Sequence, residues 1–425
     1  MTLFRAGLAA AVMATSLAAV QAARAADLVF MSTQLRPIEE AQKVRSAILK
    51  GGPATTYVVD EPGPFTVRAR AEQQAGKVTA SLYGAGHGEM APLVDILQPL
   101  DDVAATLKDR GIPQGLMDSG KFGTDHVLMI PWMQASYVVV VNKQALPFLP
   151  AGADVNALTY DQLLAWGKAI QDKTGKRLLG FPAGPKGLFA RFLEGSLLPA
   201  YTNSTVTAFR SPEAQKAWSD FAALWAFVNP DSTRYDFMQE PLQSGDVWIA
   251  WDHVARVREA LTAAPDDYVV VPSPAGPKGR GAMVVLAGLS IPKNAPDRAG
   301  AVALIDHLTK PATQIITAKE VGFFPVVKAE LPADLSPGIK LIAGGLGKTM
   351  DSKDLITVLL PVGLGAKGGE FNKVYVDTFT RIVLNKEPVA KVLDEQAVAL
   401  RAIMEDTKAP CWAPDAPSTG PCPVK

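Results

Sequence analysis

Short apolar runs alternate along this chain with longer segments in which apolar residues recur at helical spacing. The runs 27–31, 56–60 and 137–141 predict strands, and intervening segments such as 159–174 predict helices. The helix that begins at Ser211 has the strongest start signal, because a capping Ser, a first-turn Pro and an early carboxylate follow one another. Strands that alternate with helices predict an α/β fold.

Glycines interrupt the strand pattern at two places. The run 78–82 predicts a strand that ends in a glycine-rich turn from Tyr83 to Gly88. Further along, two apolar runs separated by Gly288 predict two short strands. Because α/β sheets bind ligands beyond the carboxyl ends of their strands, the turn at Tyr83 is a candidate ligand site, with a plain strand-to-helix connection as the alternative.

The first 25 residues have the three zones of a secretory signal peptide. Arg5 supplies positive charge, residues 7–20 form an apolar run, and Ala23 and Ala25 are the small residues of a cleavage site. A transmembrane anchor is the alternative, but the run is shorter than the roughly 20 residues that a bilayer requires. No Cys lies near the cleavage site to carry a lipid, so we expect a mature protein that is free in the periplasm.

Length, charge and cysteine content limit the classes of function. A chain of 425 residues is longer than one hydrophobic core usually supports, so two lobes are expected. Its 42 basic and 42 acidic residues balance, which argues against nucleic-acid binding through bulk charge. The only cysteines, Cys411 and Cys422, are expected to form a disulfide in an oxidising compartment, with free thiols on a disordered tail as the alternative.

Sequence signatures of catalysis are absent. The segment 344–349 resembles a phosphate-binding loop, but Ile342 stands where that loop requires its first Gly. There is no Gly-x-Ser-x-Gly elbow and no His-Glu-x-x-His helix. We therefore expect no catalytic residues, no metal and no cofactor, in a protein that binds a small molecule. A hydrolase with a pair of carboxylates stays open, because such pairs leave little sequence signal.

Four segments, in this order, resemble the extracellular solute-binding proteins of ABC importers, in particular the carbohydrate-binding group that includes maltose-binding protein. They are the opening strand and helix at 27–49, a passage ending in a Tyr/Val run at 130–146, a Trp-bearing strand and helix at 244–261, and a Gly-bearing strand pair at 267–295. Each segment is weak alone, and their order and spacing carry the resemblance, which covers almost the whole mature chain.

The resemblance implies a type II periplasmic-binding-protein fold, in which two α/β lobes close on a ligand by hinge motion. Three crossing segments would join the lobes, near residues 133–138, 268–274 and 322–326. It also implies a monomer that delivers its ligand to an inner-membrane ABC permease. The expected division is a signal peptide at 1–25, lobe 1 at 26–133 and 273–322, lobe 2 at 134–272 and 323–408, and a tail at 409–425.

Sugars present apolar ring faces and a rim of hydroxyls, so their sites need aromatic rings, carboxylates, amides or Arg. Strand alternation puts Trp248 and Asp252 on the face opposite Trp251, and we expect the first two to face the cleft. Trp132 lies beside the first crossing, where a packed hinge residue is the alternative. The remaining candidates are Tyr83, His87, Thr33 and Gln34 at strand ends, Phe189, Arg191 and Gly288, which the resemblance places near the cleft, Phe324 at the third crossing, and Glu370 at a helix start. A structural ion pair is the alternative for Arg191, hinge packing for Phe324, and a carboxylate favoured by the helix dipole for Glu370.

These observations predict a periplasmic subunit that binds a sugar or an oligosaccharide and does no chemistry on it. Two alternatives remain open. The first is a receptor for another solute: a phosphate ester such as glycerol phosphate would favour a site of Arg, Lys and helix N-termini, and a polyamine would favour acidic and aromatic walls. The second is a secreted glycan hydrolase.

Overall fold

Two strands of this protein are much longer than the others and run antiparallel to each other through its centre. The structure is a computed structural model that describes residues 28–34 and 38–425, so the expected signal peptide lies outside the described residues. Within them the strands are β1 (Leu28–Ser32), β2 (Thr55–Val59), β3 (Leu82–Gly86), β4 (Ile130–Asn142), β5 (Leu179–Gly180), β6 (Ile249–His253), β7 (Tyr268–Val271), β8 (Arg280–Ser290), β9 (Phe324–Pro325) and β10 (Leu355–Leu359).

Helices cover the faces of these strands. The start signals in the sequence are used as predicted: the Thr159 side chain accepts a hydrogen bond from Gln162 N, and Ser211 caps the helix that follows it. The α-helices are α1 (Ile38–Lys43), α2 (Pro62–Gln74), α3 (His87–Met90), α4 (Asp101–Thr106), α5 (Gln114–Ser119), α6 (Tyr160–Thr174), α7 (Phe189–Phe192), α8 (Leu198–Thr202), α9 (Pro212–Trp225), α10 (Gln239–Ser244), α11 (Arg258–Ala263), α12 (Arg298–Leu308), α13 (Pro311–Val321), α14 (Pro337–Met350), α15 (Gly368–Phe379) and α16 (Val389–Thr407).

The strand order is β2-β1-β3-β8-β4-β6-β5, with β10 on β8 and with β7 and β9 on β4. Strand β4 pairs with β8 as far as Ser136 and with β6 from Tyr137 onward. A single strand therefore passes from one group of strands into the other. Four consecutive valines follow Tyr137 in β4, and all are buried, as expected for a strand covered on both faces.

Two strand predictions are corrected by the structure. Strand β3 spans 82–86 rather than 78–82, so the expected turn at Tyr83 is part of the strand. Gly84 permits this, because a Cβ there would lie 2.5 Å from the ring of Phe30 on the neighbouring strand. Strand β8 is continuous through Gly288, where a Cβ would meet the side chain of Met129.

The buried side chains form separate cores on either side of the long strands. One core packs around β1, β3 and both halves of β4, where it includes Val138 and Val140 of the valine run. The other contains a dense group of aromatic rings, in which Phe221 lies 5.3 Å from Phe192 and 5.7 Å from Trp225 between ring centroids. Among the described residues, no helix is long and apolar enough to cross a membrane.

The expected disulfide between Cys411 and Cys422 is confirmed. The tail that carries it is packed against the aromatic core, since Trp412, Cys422 and Val424 are all buried there. The alternative of free thiols on a disordered tail is therefore wrong.

We expect Phe221→Ala to lower the free energy of unfolding by about 3–5 kcal/mol, because a buried ring is lost from a core that cannot fully collapse. Denaturant unfolding followed by tryptophan fluorescence measures this change. The matched control is Val398→Ala, which removes a side chain that is 62% exposed and should shift the midpoint little. Equal effects of both variants would contradict the assignment of Phe221 to the core.

Candidate ligand-binding site

A cavity of about 320 Å³ lies between the start of α2 and α3 on one side and the segment that leads into α15 on the other. None of the described lining residues is aromatic, and the polar side chains are those of Thr66, Glu89, Arg191 and Asn372, among prolines, leucines and glycines. The lining residues are Pro62, Gly63, Thr66, Gly88, Glu89, Pro92, Arg191, Leu360, Pro361, Leu364, Gly365, Gly368, Gly369 and Asn372.

Glu89 is held rigidly on one side of the cavity. Its Oε2 accepts a hydrogen bond of 2.7 Å from the Thr33 hydroxyl and one of 2.9 Å from Gly86 N. Thr33 follows β1 and Gly86 ends β3, so two adjacent strand ends fix the carboxylate. Within the described residues Oε1 accepts no hydrogen bond, which leaves it available to a ligand in the cavity.

Arg191 reaches the cavity from the opposite side. Its Nη1 donates to Glu194 Oε1 at 2.5 Å, and its side chain stays 22% exposed while that of Glu194 is fully buried. Burial raises the pKa of Glu194, and the nearby Arg191 opposes that rise. Glu194 Oε2 has no partner among the described residues. The guanidinium also feels the charge of Glu89, so the two sides of the cavity attract each other.

An aromatic pair lies beside Arg191, where β4 and β6 meet. The rings of Tyr137 and Trp251 stack at 4.6 Å with an interplanar angle of 2°, and Trp251 Nε1 donates to Ser273 Oγ at 3.1 Å. Burial raises the pKa of the Tyr137 hydroxyl, and the charges of Arg191 and Arg256 oppose that rise.

The structure places some of the predicted site residues at the cavity and others beside it. Thr33 and Arg191 belong to the network just described. Gln34 is half-buried next to Thr33, where its carbonyl accepts from the Tyr57 hydroxyl at 3.0 Å. His87 begins α3 but its ring turns away, with Nε2 2.9 Å from Ser119 O. Glu370 is exposed and pairs with Lys367 at 2.9 Å, outside the lining of the cavity.

Trp248 and Asp252 do not line this cavity. All residues of β6 are buried, so neither face of the strand is open to it, and the ligand-binding role of Trp248 and Asp252 stays a prediction. The backbone carbonyl of Trp248 accepts from Asn142 N at 2.7 Å, at the far end of β4, about 16 Å beyond Tyr137 along the strand. Asp252 is fully buried and accepts hydrogen bonds from the backbone N–H groups of Met238 and His253. Trp251 is buried in the aromatic core, as strand alternation predicts.

Five further candidates are buried in packing or lie outside the lining of this cavity, and their place at the ligand stays a prediction. Trp132 is fully buried and packs edge-on against Phe30, which is the packed hinge residue of the alternative reading. Tyr83 packs under α2 against Phe65, and Phe189 belongs to the aromatic core. Gly288 lies in mid-strand. Phe324 lines a separate apolar hollow against α14.

Sequence reasoning did not single out Glu89, Glu194 or Asn372. The signal for Glu89 was its place three residues after Gly86, at a helix start that follows a strand end. Glu194 and Asn372 lie inside helical segments and carry no comparable signal. Among the described residues, no group of three or more His, Cys, Asp or Glu could hold a metal ion.

The sequence profile of the family described as "Bacterial extracellular solute-binding protein" matches residues 52–315, more than half of the chain. The chain belongs to this family. The expected α/β fold with two lobes joined by three crossing segments is confirmed by similar solved structures. No curated protein sequence matches the chain significantly.

The similar structures include a maltose-bound MalE3 of T. maritima (TM-score 0.69, 17% identity), covering 89% of this chain and 99% of that one. A solute-binding protein of Agrobacterium vitis S4 with bound D-mannitol has a TM-score of 0.66 and 16% identity, and covers 91% and 100%. UgpB from Mycobacterium tuberculosis with glycerophosphocholine has a TM-score of 0.65 and 14% identity, and covers 89% and 98%. At these identities the likeness establishes the fold of the solute-binding protein and not its ligand.

Asp252 and His253, adjacent buried residues of β6, have pKa values shifted in opposite directions. Burial raises the pKa of Asp252 from 3.8 to about 7, so its stabilising contribution is complete below pH 3.8 and is lost as the pH rises toward 7. Burial lowers the pKa of His253 from 6.5 to about 3, so its contribution is present above pH 6.5 and is lost as the pH falls toward 3. Between pH 4 and 6.5, Asp252 therefore lowers the free energy of unfolding as the pH rises, whereas His253 raises it.

We therefore expect Asp252→Asn to steepen the pH dependence of stability. The amide oxygen of Asn can accept from only one of the Met238 and His253 N–H groups, a loss that does not depend on pH, while the decrease in stability caused by ionisation of the carboxyl disappears. The free energy of unfolding of the variant should rise from pH 4 to 6.5, whereas that of the wild type changes less. Denaturant unfolding at several pH values measures both, with Asp351→Asn, an exposed carboxyl, as the control. Parallel curves for wild type and Asp252→Asn would contradict the prediction.

Proposed function

We propose that this solute-binding protein is the periplasmic subunit of an ABC importer, and that it captures a small sugar or sugar alcohol in the cavity and delivers it to an inner-membrane permease. It acts as a monomer and does no chemistry on its ligand. The ligand class is supported chiefly by Glu89 and Arg191, which line the cavity from opposite sides and carry opposite charges.

The charges of the cavity favour hydroxyl groups over a phosphate or a polyamine. A vicinal pair of hydroxyls both donates and accepts, so it suits a carboxylate oxygen and guanidinium N–H groups together. Among the described lining residues, Arg191 is the only cation, and it is already paired with Glu194. A phosphate would meet the charge of Glu89, and a polyamine would meet Arg191 without an aromatic wall.

The volume favours a compact ligand. About 320 Å³ lies at the lower end of the range of about 300–1,000 Å³ that is usual for small-molecule pockets. The proposal therefore narrows the expected sugar or oligosaccharide to one or two rings or an open-chain polyol. The solved relatives with bound maltose and D-mannitol carry ligands of this kind.

We propose that the lobes comprise 26–133 with 273–322, and 134–272 with 323–408. The switch of β4 partners between Ser136 and Tyr137 supports the first boundary. With this division Glu89 and Gly88 belong to lobe 1, and Arg191 and Pro361 belong to lobe 2. The cavity is then the interlobe cleft, and a ligand that bonds both sides favours closure.

A thermal-shift screen followed by calorimetry tests the ligand class. The panel is maltose, D-mannitol, D-tagatose and glycerophosphocholine, and we expect a saccharide or polyol to raise the Tm of the mature protein. Glu89→Gln should weaken that binding about 10- to 100-fold, the loss expected when a hydrogen bond to a charged group is weakened. The matched control is Glu370→Gln, which changes an exposed carboxylate at the start of α15 and should leave the affinity unchanged.

Two results would contradict the proposal. A shift with glycerophosphocholine alone would favour the phosphate-ester alternative. Hydrolysis of maltose by the purified protein would favour an enzyme.

Gly88 provides a test of closure. A Cβ at this position would lie only 1.9 Å from the carbonyl oxygen of Pro361, across the cavity. We expect Gly88→Ala to hold the two walls apart and to weaken ligand binding about tenfold or more, while the Tm without ligand changes little.

The control for closure lies in the same cavity. Gly369→Ala adds a methyl group where no atom lies within 4 Å, so closure should be retained. Small-angle scattering with and without ligand measures the compaction directly. Ligand-induced compaction of Gly88→Ala equal to that of the wild type would contradict the closing contact.

A further inference from the structure

One wall of the cavity is a single stretch of chain that runs from the end of β10 into α15. Apart from one short helical turn at Gly365–Lys367, the part between β10 and α15 has no regular structure, and Gly363 and Gly365 adopt positive φ. Its shape therefore depends on what it packs against. The stretch contributes Leu360, Pro361, Leu364, Gly365, Gly368, Gly369 and Asn372 to the lining.

The C-terminal tail supports this wall from behind. Leu359 N donates to Ala413 O at 3.0 Å, where the wall leaves β10. Gly363 lies so close to the tail that a Cβ on it would be 3.3 Å from Pro410 Cδ. The buried ring of Trp412 packs edge-on against Phe371 of α15, with 5.5 Å between ring centroids. The tail thus touches the wall at its beginning, middle and end.

The tail is itself fixed at several points. The disulfide closes the loop between Cys411 and Cys422, and Cys422 N donates to Ala409 O at 2.8 Å. Inside the loop, the buried carboxylate of Asp415 accepts hydrogen bonds from three consecutive backbone N–H groups at 2.7 to 2.9 Å. It also accepts from two hydroxyls, and the donating residues are Ser204, Thr205, Val206 and Thr207.

The same turn holds α15. The Tyr375 hydroxyl donates to Thr205 O at 3.0 Å, so the helix and the tail share one anchor. A carboxylate that accepts several backbone N–H groups is a strong local constraint, because each charge-assisted bond is lost if the tail moves. The anchored tail, the wall and α15 form one connected unit.

We infer that the disulfide-closed tail is a positioning element that holds the wall 360–372 in its ligand-binding shape. This inference rests on the proposed function of the cavity, because the wall matters only if a ligand binds there. Trp412 and Asp415 are its positioning residues, and neither lines the cavity. The disulfide then does more than stabilise lobe 2, because removing it should loosen the wall and so weaken ligand binding.

Hydrogen exchange of the ligand-free mature protein tests the inference. The variants are C411S/C422S, which removes the disulfide without a reductant, and Trp412→Leu, which keeps it. We expect backbone amides of 359–372 to exchange about tenfold faster in both, equal to about 1.4 kcal/mol of local opening free energy. Amides of the opposite wall, 62–90, should not change.

The matched control is Ile170→Ala, which truncates a buried side chain of α6 in the same core, away from the wall. It should lower the Tm without changing exchange at 359–372. If C411S/C422S does not fold, Trp412→Leu alone decides, because its disulfide is retained.

Calorimetry with maltose and D-mannitol as probes provides the second readout. The Kd of any probe that the wild type binds should rise about tenfold in both tail variants and stay unchanged in Ile170→Ala. Unchanged exchange at 359–372 in the tail variants would overturn the inference. If the wild type binds neither probe, the proposed function loses support, while the exchange measurement still decides the role of the tail.

Discussion

Strands β4 and β8 run antiparallel through the centre of the molecule. Every other described strand pairs with one of them directly or is linked to it through other strands. The pairing of Ile130–Ser136 with 284–289 fixes the register in one half. Beyond it, the valine run of β4 pairs with β6 and β7 in the other half. Because a register slip of one residue would turn every valine to the opposite core, the alternation of buried residues holds both halves in place at once.

The charged groups at the cavity are stable only as a set. Glu194 is fully buried, so its ionised form depends on Arg191, and Arg191 in turn is exposed to the cavity on its other side. A buried carboxylate without its partner would carry the full cost of desolvation. Glu89 is fixed separately by Thr33 and Gly86. The result is a donor and an acceptor held in place before any ligand arrives, which reduces the side-chain entropy that binding loses.

The sequence predicted the α/β fold, most helix starts and the disulfide, because these depend on local patterns. The cap at Ser211 and the valine run after Tyr137 are examples, and both were found as predicted. The site residues depend instead on which end of a strand meets the other lobe, which a local pattern does not specify, so they stay predictions. Alternation separated Trp248 from Trp251 correctly, but it contained no information on which face or end lies at the cleft.

Glycines misled the sequence reasoning for a related reason. Gly84 and Gly288 were read as turn or loop positions, yet both lie inside strands where a neighbouring side chain, Phe30 or Met129, fills the space of the missing Cβ. A close approach to a side chain and a close approach to a ligand leave the same sequence signal. Gly88 differs, because its neighbour is the Pro361 carbonyl, far along the chain, and only the folded structure reveals that pairing.

The two walls of the cavity come from distant parts of the chain, 62–92 and 360–372, and this separation has an energetic consequence. A ligand shifts the equilibrium toward the closed form only if it binds that form more tightly than the open form. Both walls must keep their shape for the closed form to offer this tighter binding. The first wall is helical and keeps its shape through α2 and α3. The second wall is irregular before α15, and the tail that packs behind it supplies the rigidity that its own backbone does not.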